Sequence, residues 1–158
     1  MSISVKYLSN VASPDELTEF LMRCDADFVP PLSGRVEILN YAQKVAINAI
    51  RFEAWSAGRL VGLVAAYCND HHRQTAYITT VSVTRAWNGK GIAAKLMNQC
   101  VAYAKASQIQ HISLEVASDN TPAIRLYKRC GFVAAKKNAQ LISMELHLKS
   151  RDENELKA

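Results

Sequence analysis

The 158-residue sequence predicts a single α/β domain built on a mixed sheet. Hydrophobic periodicity alternates along the chain between the strand repeat and the helix repeat. Tightly joined strand-like segments in the middle read as hairpins, and a strand–helix–strand crossover follows them. Hairpins pair antiparallel and crossovers pair parallel, so one sheet must hold both kinds of pairing.

Each element has a local reason. Ile3 to Leu8 alternates apolar and polar residues and reads as a strand, which Asn10 to Pro14 breaks. Ser13-Pro14-Asp15-Glu16 has the form of a helix start, with Ser13 as N-cap, Pro14 at the first helical position and Glu16 at the third. Leu17, Phe20, Leu21 and Cys24 form its buried stripe. Pro30 to Gly34 is a rigid turn leading into a second helix that ends at Asn48, with Val36, Leu39, Ala42, Val45 and Ala46 at helical spacing. Ala49–Ser56 and Arg59–Cys68 are strands joined by the Ala57-Gly58 turn. Asn69 to Arg73 is a polar loop, and the β-branched run Thr75–Val83 is the next strand. From Ile92 to Ser107 the period changes: Ile92, Leu96, Cys100 and Ala104 recur at i+4 and give a broad apolar helical face. His111 to Val116 returns to strand. Asn120-Thr121-Pro122 opens a helix carrying Ile124, Leu126, Tyr127 and Cys130, which Gly131 stops. Phe132 to Leu148 reads as two strands about the polar turn Lys136 to Ala139. One domain is expected to span 1–149, and the charged tail 150–158 is expected to be disordered.

Composition removes several classes of function. No apolar run reaches the roughly 18 residues a membrane-spanning helix needs, and the first residues hold no apolar stretch of signal-peptide length. A cytoplasmic protein without a membrane partner is expected. The net charge of +5 comes from scattered basic residues rather than a stripe, which argues against nucleic acid as partner and leaves a polyanionic cofactor as sufficient reason for the charge. Cys24, Cys68, Cys100 and Cys130 form no CxxC pair and sit in apolar stretches, so free buried thiols are expected. The histidines, including His71-His72 in the polar loop, form no metal motif with them, and no metal is expected.

The segment from Val83 to Ala93 carries the strongest chemical signal. A strand ends, a loop with Gly89 and Gly91 follows, and a long helix begins at once. Unpaired N–H groups at a helix start make an anion cradle, and glycine lets a phosphate approach the backbone. Arg85 and Lys90 stand nearby to add charge. The segment lacks the spacing and the Ser or Thr of a nucleoside-triphosphate loop, and it lacks the third glycine of the dinucleotide fingerprint.

This stretch resembles the acetyl-CoA signature of the GNAT superfamily of N-acetyltransferases, whose core is Gln/Arg-x-x-Gly-x-Gly/Ala. The match falls on Asn88, Gly91 and Ala93, with the frequent extra glycine at Gly89. Asn88 stands where the family has Gln or Arg, and Thr84 where a proline is common. A second block, Leu114-Glu115-Val116, Asn120, Ala123, Leu126-Tyr127 and Gly131-Phe132, matches the family in order and spacing. The resemblance covers roughly Arg59 to Leu148. It implies an acyl-CoA N-acyltransferase-like fold: a mixed, mostly antiparallel twisted central sheet flanked by helices.

The resemblance also implies direct transfer of acetyl from acetyl-CoA, as donor substrate, to a primary amine, with no covalent acyl-enzyme. Backbone groups of Val81 and Val83 would hold the pantetheine arm; Asn88, Gly89, Lys90, Gly91, Ile92 and Ala93 would hold the pyrophosphate. Asn120 would contact the pantetheine arm, and it is equally a good helix cap. Tyr127 is the implied general acid toward the coenzyme sulfur, and it also shares the buried helix face of Ile124 and Cys130. Glu115 is the candidate base, since the ribosomal-protein N-terminal acetyltransferases of the superfamily use the glutamate of a similar block. Asp70, His71 and His72, or a water, are the alternatives, and a solvent-facing strand carboxylate is the bland reading of Glu115. Tyr67, Asp70, His71 and Tyr77 are candidates for the acceptor pocket. Asp25 and Asp27 could meet a cationic amine or be plain solvated loop residues, while Phe28 to Leu32 would give a firm, partly apolar wall. A small amine such as an amino sugar is the favoured acceptor, with a protein N-terminus or a lysine as the alternative. A silent acetyl-CoA-binding regulatory protein is the reading from a different class. A monomer or a homodimer is expected.

Overall fold

The computed structural model describes residues 4–70 and 74–148. His71, His72 and the expected tail at 150–158 lie outside the described residues. The strands are β1 (Lys6–Ser9), β2 (Ile50–Ser56), β3 (Arg59–Asp70), β4 (Thr75–Val83), β5 (His111–Ala117), β6 (Val133–Lys137) and β7 (Leu141–His147). The helices are α1 (Pro14–Cys24), α2 (Ile38–Asn48), α3 (Ile92–Ala106) and α4 (Thr121–Arg129), with short 3-10 turns at Asp25–Asp27, Leu32–Gly34 and Arg85–Trp87. The strands form one seven-stranded sheet in the order β1-β2-β3-β4-β5-β7-β6. Among the described strands only the β4–β5 pair is parallel, as the crossover through α3 demands.

The start of α1 follows the sequence reading to the atom. The Ser13 side chain accepts from the Glu16 amide while Glu16 reaches back to the Ser13 amide, a reciprocal capping box worth about 1 kcal/mol. Leu17, Phe20, Leu21 and Cys24 are buried. With Ala42 and Val45 of α2 they cover Trp55, Leu63 and Ala65 on one face of the sheet. The second helix differs from expectation. It starts only at Ile38, and Ile38 rather than Leu39 turns inward; Leu39 is 44% exposed. The 3-10 turn at Leu32–Gly34 consumes residues that a continuous helix would have used and rotates the later ones. The other face holds the larger core, where Leu96, Met97 and Cys100 of α3 and Tyr127 of α4 meet Ile112, Leu114, Phe132 and Met144. All four cysteines are free thiols.

Two features of this packing place the site. A Cβ on Gly62 of β3 would stand 2.9 Å from Cγ2 of Ile92. The first residue of α3 therefore fills the space that a side chain would need, and the helix start is fixed against the sheet. The second is a bulge in β4: Ala65 faces Thr80 and Ala66 faces Ile78, which leaves Thr79 as the extra residue. Its hydroxyl lies 2.7 Å from that of Tyr41 on α2.

One buried network was not visible in the sequence pattern. Glu53 in the middle of β2 has no exposed surface. Its carboxylate accepts from the Val11 and Ala12 amides, from Nε of Arg51 and from Nε1 of Trp55. Arg51 donates onward to the carbonyls of Ala46 and Ala12. The pair joins the entry of α1, the end of α2 and the sheet.

Candidate active site

The parallel pairing of β4 with β5 reaches only from Thr75–His111 to Tyr77–Ser113. Beyond it β4 bends away at the Thr79 bulge, and the two strands diverge into a cleft. The Thr84 amide donates to Val61 of β3 at 2.9 Å. By strand alternation, Val83 and Val81 therefore direct their N–H and C=O groups to the opposite edge, into the cleft. These are the backbone groups that the sequence reading singled out.

On the α3/α4 side the cleft is lined by Val81, Val83, Asn88, Ala93, Asn120 and Tyr127. Val81, Val83 and Asn88 also border its opening on the α1 side, together with Cys24, Asp27 and Phe28. The gap thus passes through the sheet. At its head, Gly91 is the N-cap of α3 with φ of 78°, a left-handed conformation that glycine adopts freely, and it supplies no side-chain cap. Ser13, Glu37 and Asn120 cap the other three α-helices with side chains. The first amides of α3 thus have no side-chain acceptor, and they lie beside the exposed Gly89 and Lys90. The Ile92 side chain is buried, which leaves only its backbone to this helix start.

The end of the cleft nearer β5 and the α1–α2 connection has a volume of about 240 Å³ and is lined by residues from β4, β5, α4 and that connection. Tyr127 and Glu115 both reach it. Tyr127 is 8% exposed, and burial pushes its phenol up to about 12. It is therefore a neutral donor at any physiological pH, and no group among the described residues accepts its hydroxyl. Glu115 is exposed on the open face of β5, and its Oε1 accepts from the Tyr77 hydroxyl at 3.3 Å. Burial first, and then the Glu115 charge, hold the Tyr77 phenol above its usual range. Asn120 caps α4 by accepting from the Ala123 amide at 3.4 Å and also lines the cleft.

Other candidates fall elsewhere. Tyr67 does not line the cleft. It is the register partner of Tyr77 but lies one strand further in, beneath α2, with Lys44 Nζ 5.5 Å from its ring centre. Arg85 is not a free phosphate contact; it forms an ion pair with Asp27. That pair also satisfies Asp27, while the Asp25 carboxylate accepts from the Ser33 amide at 2.7 Å and is held below its usual range by Ser33, its side chain first and its amide second. Neither aspartate is left as a bare anion for an amine. Asp70 ends β3, beside the undescribed 71–73 segment. The sequence reading missed Arg35 and Leu141, which enter the cleft from the α1–α2 connection and from β7. Nothing near them in the chain signals this, because only the closed sheet brings them to the site.

The model of the acetyltransferase (GNAT) family matches residues 15–132. The chain belongs to the GNAT acetyltransferase family. Among similar GNAT sequences, the N-alpha-acetyltransferase MAK3 of Arabidopsis thaliana is 34% identical over 88 residues, 54% of this chain and 46% of that protein. A streptothricin acetyltransferase of Escherichia coli is 34% identical over 64 residues, 40% of this chain and 37% of that one. The chain spans about half the length of such relatives or less. Among solved GNAT structures, the Escherichia coli ribosomal-protein-S18-alanine N-acetyltransferase superposes with a TM-score of 0.76 at 17% identity, covering 96% of this chain and 98% of that one. A Bacillus anthracis structure assigned to streptothricin acetyltransferase, in complex with acetyl coenzyme A, gives 0.56 at 24% identity over 64% of this chain and 63% of that one. The likeness to these structures establishes the fold: a mixed, mostly antiparallel sheet flanked by helices.

Proposed function

We propose that this GNAT chain is an acetyl-CoA-dependent N-acetyltransferase acting on a small primary amine. The observation that carries the proposal is the gap between β4 and β5, with cleft-facing amides at Val81 and Val83, the uncapped start of α3 at one end and Tyr127 at the other. In this reading Asn88 to Ala93 bind the pyrophosphate and Asn120 meets the pantetheine arm. The cleft-facing N–H groups orient the thioester and polarise its carbonyl. Glu115, oriented by Tyr77, takes a proton from the acceptor ammonium directly or through water. The freed amine attacks the thioester carbonyl and forms the carbon–nitrogen bond. As the acetyl–sulfur bond breaks, Tyr127 gives its hydroxyl proton to the thiolate, and the second proton lost by the nitrogen restores the phenol through water.

The acceptor end holds Arg35 as well as Glu115. An amine with an oxygen acceptor a few bonds away, such as an amino sugar or an amino acid, would satisfy both. Phe28 and Val29 supply the apolar wall. A peptide N-terminus is the second reading, and the similarity to the N-alpha-acetyltransferase of Arabidopsis supports it. The test is release of coenzyme A thiol from acetyl-CoA across a panel of amino sugars, amino acids, polyamines and N-terminal peptides. Saturable release with one small-amine class supports the proposal, and saturation only by peptides moves the acceptor to the second reading. Coenzyme-dependent heat stabilisation with no release from any amine would instead favour a binding protein.

A further inference from the structure

Outside the cleft, three side chains from β5 and β7 converge. His111 and His147 are register partners across this antiparallel pair, and Glu145 lies opposite Ser113 on the same face. The face is the one turned away from the core that holds Ile112 and Met144. Nε2 of His111 is 3.5 Å from one Glu145 oxygen, and Nε2 of His147 is 3.5 Å from the other. All three donors lie within 4.8 Å of one another, and the imidazole ring centres are 4.7 Å apart.

These spacings are too long for hydrogen bonds, which fall at about 2.7–3.2 Å. They do suit ligands around an ion. Donors bound about 2.0–2.1 Å from a tetrahedral Zn²⁺ are separated from each other by roughly 3.3–3.4 Å. The His–Glu contacts need only a small closure to reach that edge length. Two imidazoles and one carboxylate select a borderline transition metal over the oxygen-seeking Mg²⁺ or Ca²⁺. The surroundings also fit: the His111 and Glu145 side chains are 25% and 31% exposed, so both are held by their neighbours, while His147 at 70% leaves an approach from solvent. Linear spacing holds no metal motif because α4 and β6 separate His111 from the other two.

We propose that His111, Glu145 and His147 bind one divalent transition-metal ion of the Zn²⁺ class, through Nε2 of each histidine and the Glu145 carboxylate, with the remaining position open to water. The site is independent of the acetyl-transfer reading. Because only the paired strands bring the ligands together, binding is linked to folding and clips β5 to β7. His111, Ser113 and Glu115 alternate on one face of β5, so the ion would sit about 13 Å along the strand from Glu115, at roughly 3.3 Å per residue.

The test uses tag-free, metal-stripped protein titrated with Zn²⁺ against a chromogenic chelator. One equivalent per chain is expected in the wild type, with a rise in Tm on adding Zn²⁺. His147→Ala, at the most exposed ligand, should weaken binding by at least the ~10-fold that loss of a mere supporting contact costs. The His111→Ala/His147→Ala double variant should bind no equivalent at this site and show no rise in Tm. Circular dichroism of the metal-free variants separates loss of the site from loss of the fold. Substitution with Co²⁺ should give a spectrum without a thiolate charge-transfer band. Equal Zn²⁺ binding by wild type and His147→Ala, no saturable binding at all, or a thiolate band assigning the ion to cysteine would each overturn the proposal.

Discussion

Removing the hydroxyl of Tyr127 tests the proposed chemistry with the least structural disturbance. Tyr127→Phe deletes one oxygen that no described group hydrogen-bonds, and leaves the ring packed against Phe132, 6.3 Å away between centroids. Stability should change by less than about 1 kcal/mol, the worth of a single hydrogen bond. Coenzyme affinity should stay within a few-fold, because the phosphate cradle and the Val81 and Val83 amides are untouched. Turnover should fall roughly 10²–10⁴-fold, the usual contribution of a general acid, or about 3–5 kcal/mol on the barrier. The buried phenol adds a pH signature. With its value raised to about 12, Tyr127 keeps its proton through the alkaline range in which an ordinary tyrosine ionises. The alkaline limb of the rate should therefore show no loss from Tyr127 until well above pH 10, roughly the value of an ordinary tyrosine. The assay is thiol release at saturating acetyl-CoA for wild type and variant from pH 6 to about 10.5, with coenzyme binding measured separately by calorimetry. A variant with unchanged turnover would remove Tyr127 as the proton donor.

The remaining predictions probe other parts of the site and its support. Gly91→Val should weaken coenzyme A binding strongly: a Cβ there meets nothing within 4 Å, so any loss must come from the φ of 78° and from the space the phosphate would take. Calorimetric affinity equal to wild type would place the phosphate elsewhere. Glu115→Gln should lower turnover about 10²-fold or more if the carboxylate is the base. Tyr77→Phe should cost less, since it removes only an orienting bond, and a larger effect from Tyr77→Phe than from Glu115→Gln in the same assay would reverse their roles. Glu53→Ala should lower stability by about 3–5 kcal/mol in urea unfolding, because it strands the buried Arg51 charge and several amides together. A loss below about 1 kcal/mol would mean that water replaces the carboxylate.

How much of this was legible beforehand follows from the range of the forces involved. The capping box at Ser13, the i+4 stripe of α3 and the Ala57-Gly58 turn are decided within a few residues, and the sequence displays them. The glycine loop before α3 is equally local: a strand end, two glycines and a helix start. The Ile38 helix entry was misread because a 3-10 turn shifts phase without changing composition. Arg85 looked free because its partner Asp27 is distant in the chain, and Tyr67 looked available because nothing in its own strand shows that α2 covers it. Glu53 stands in an apolar strand, and its acceptors are met by donors from β2 and from the α1 entry, which the strand pattern does not show.

The cleft itself depends on an irregularity that alternation alone would have hidden. Before the bulge, Ala76 and Ile78 point into the core under α3 and α4; after it, Val81 and Val83 do. The inward face changes from even to odd positions because Thr79 is the extra residue between Ile78 and Thr80. A regular β4 would keep the even phase, sending Thr80 and Ser82 into that core and turning the valines outward. The same inserted residue bends the strand, ending the pairing with β5 at Tyr77–Ser113 and releasing the backbone groups beyond it. Tyr41 fixes the bulge from α2 through the Thr79 hydroxyl, so α2 and the opening of the cleft are mechanically joined. The Thr75–Val83 run is correctly a strand by composition. The open backbone edge it presents to the cleft arises from the one residue at which it fails to be regular.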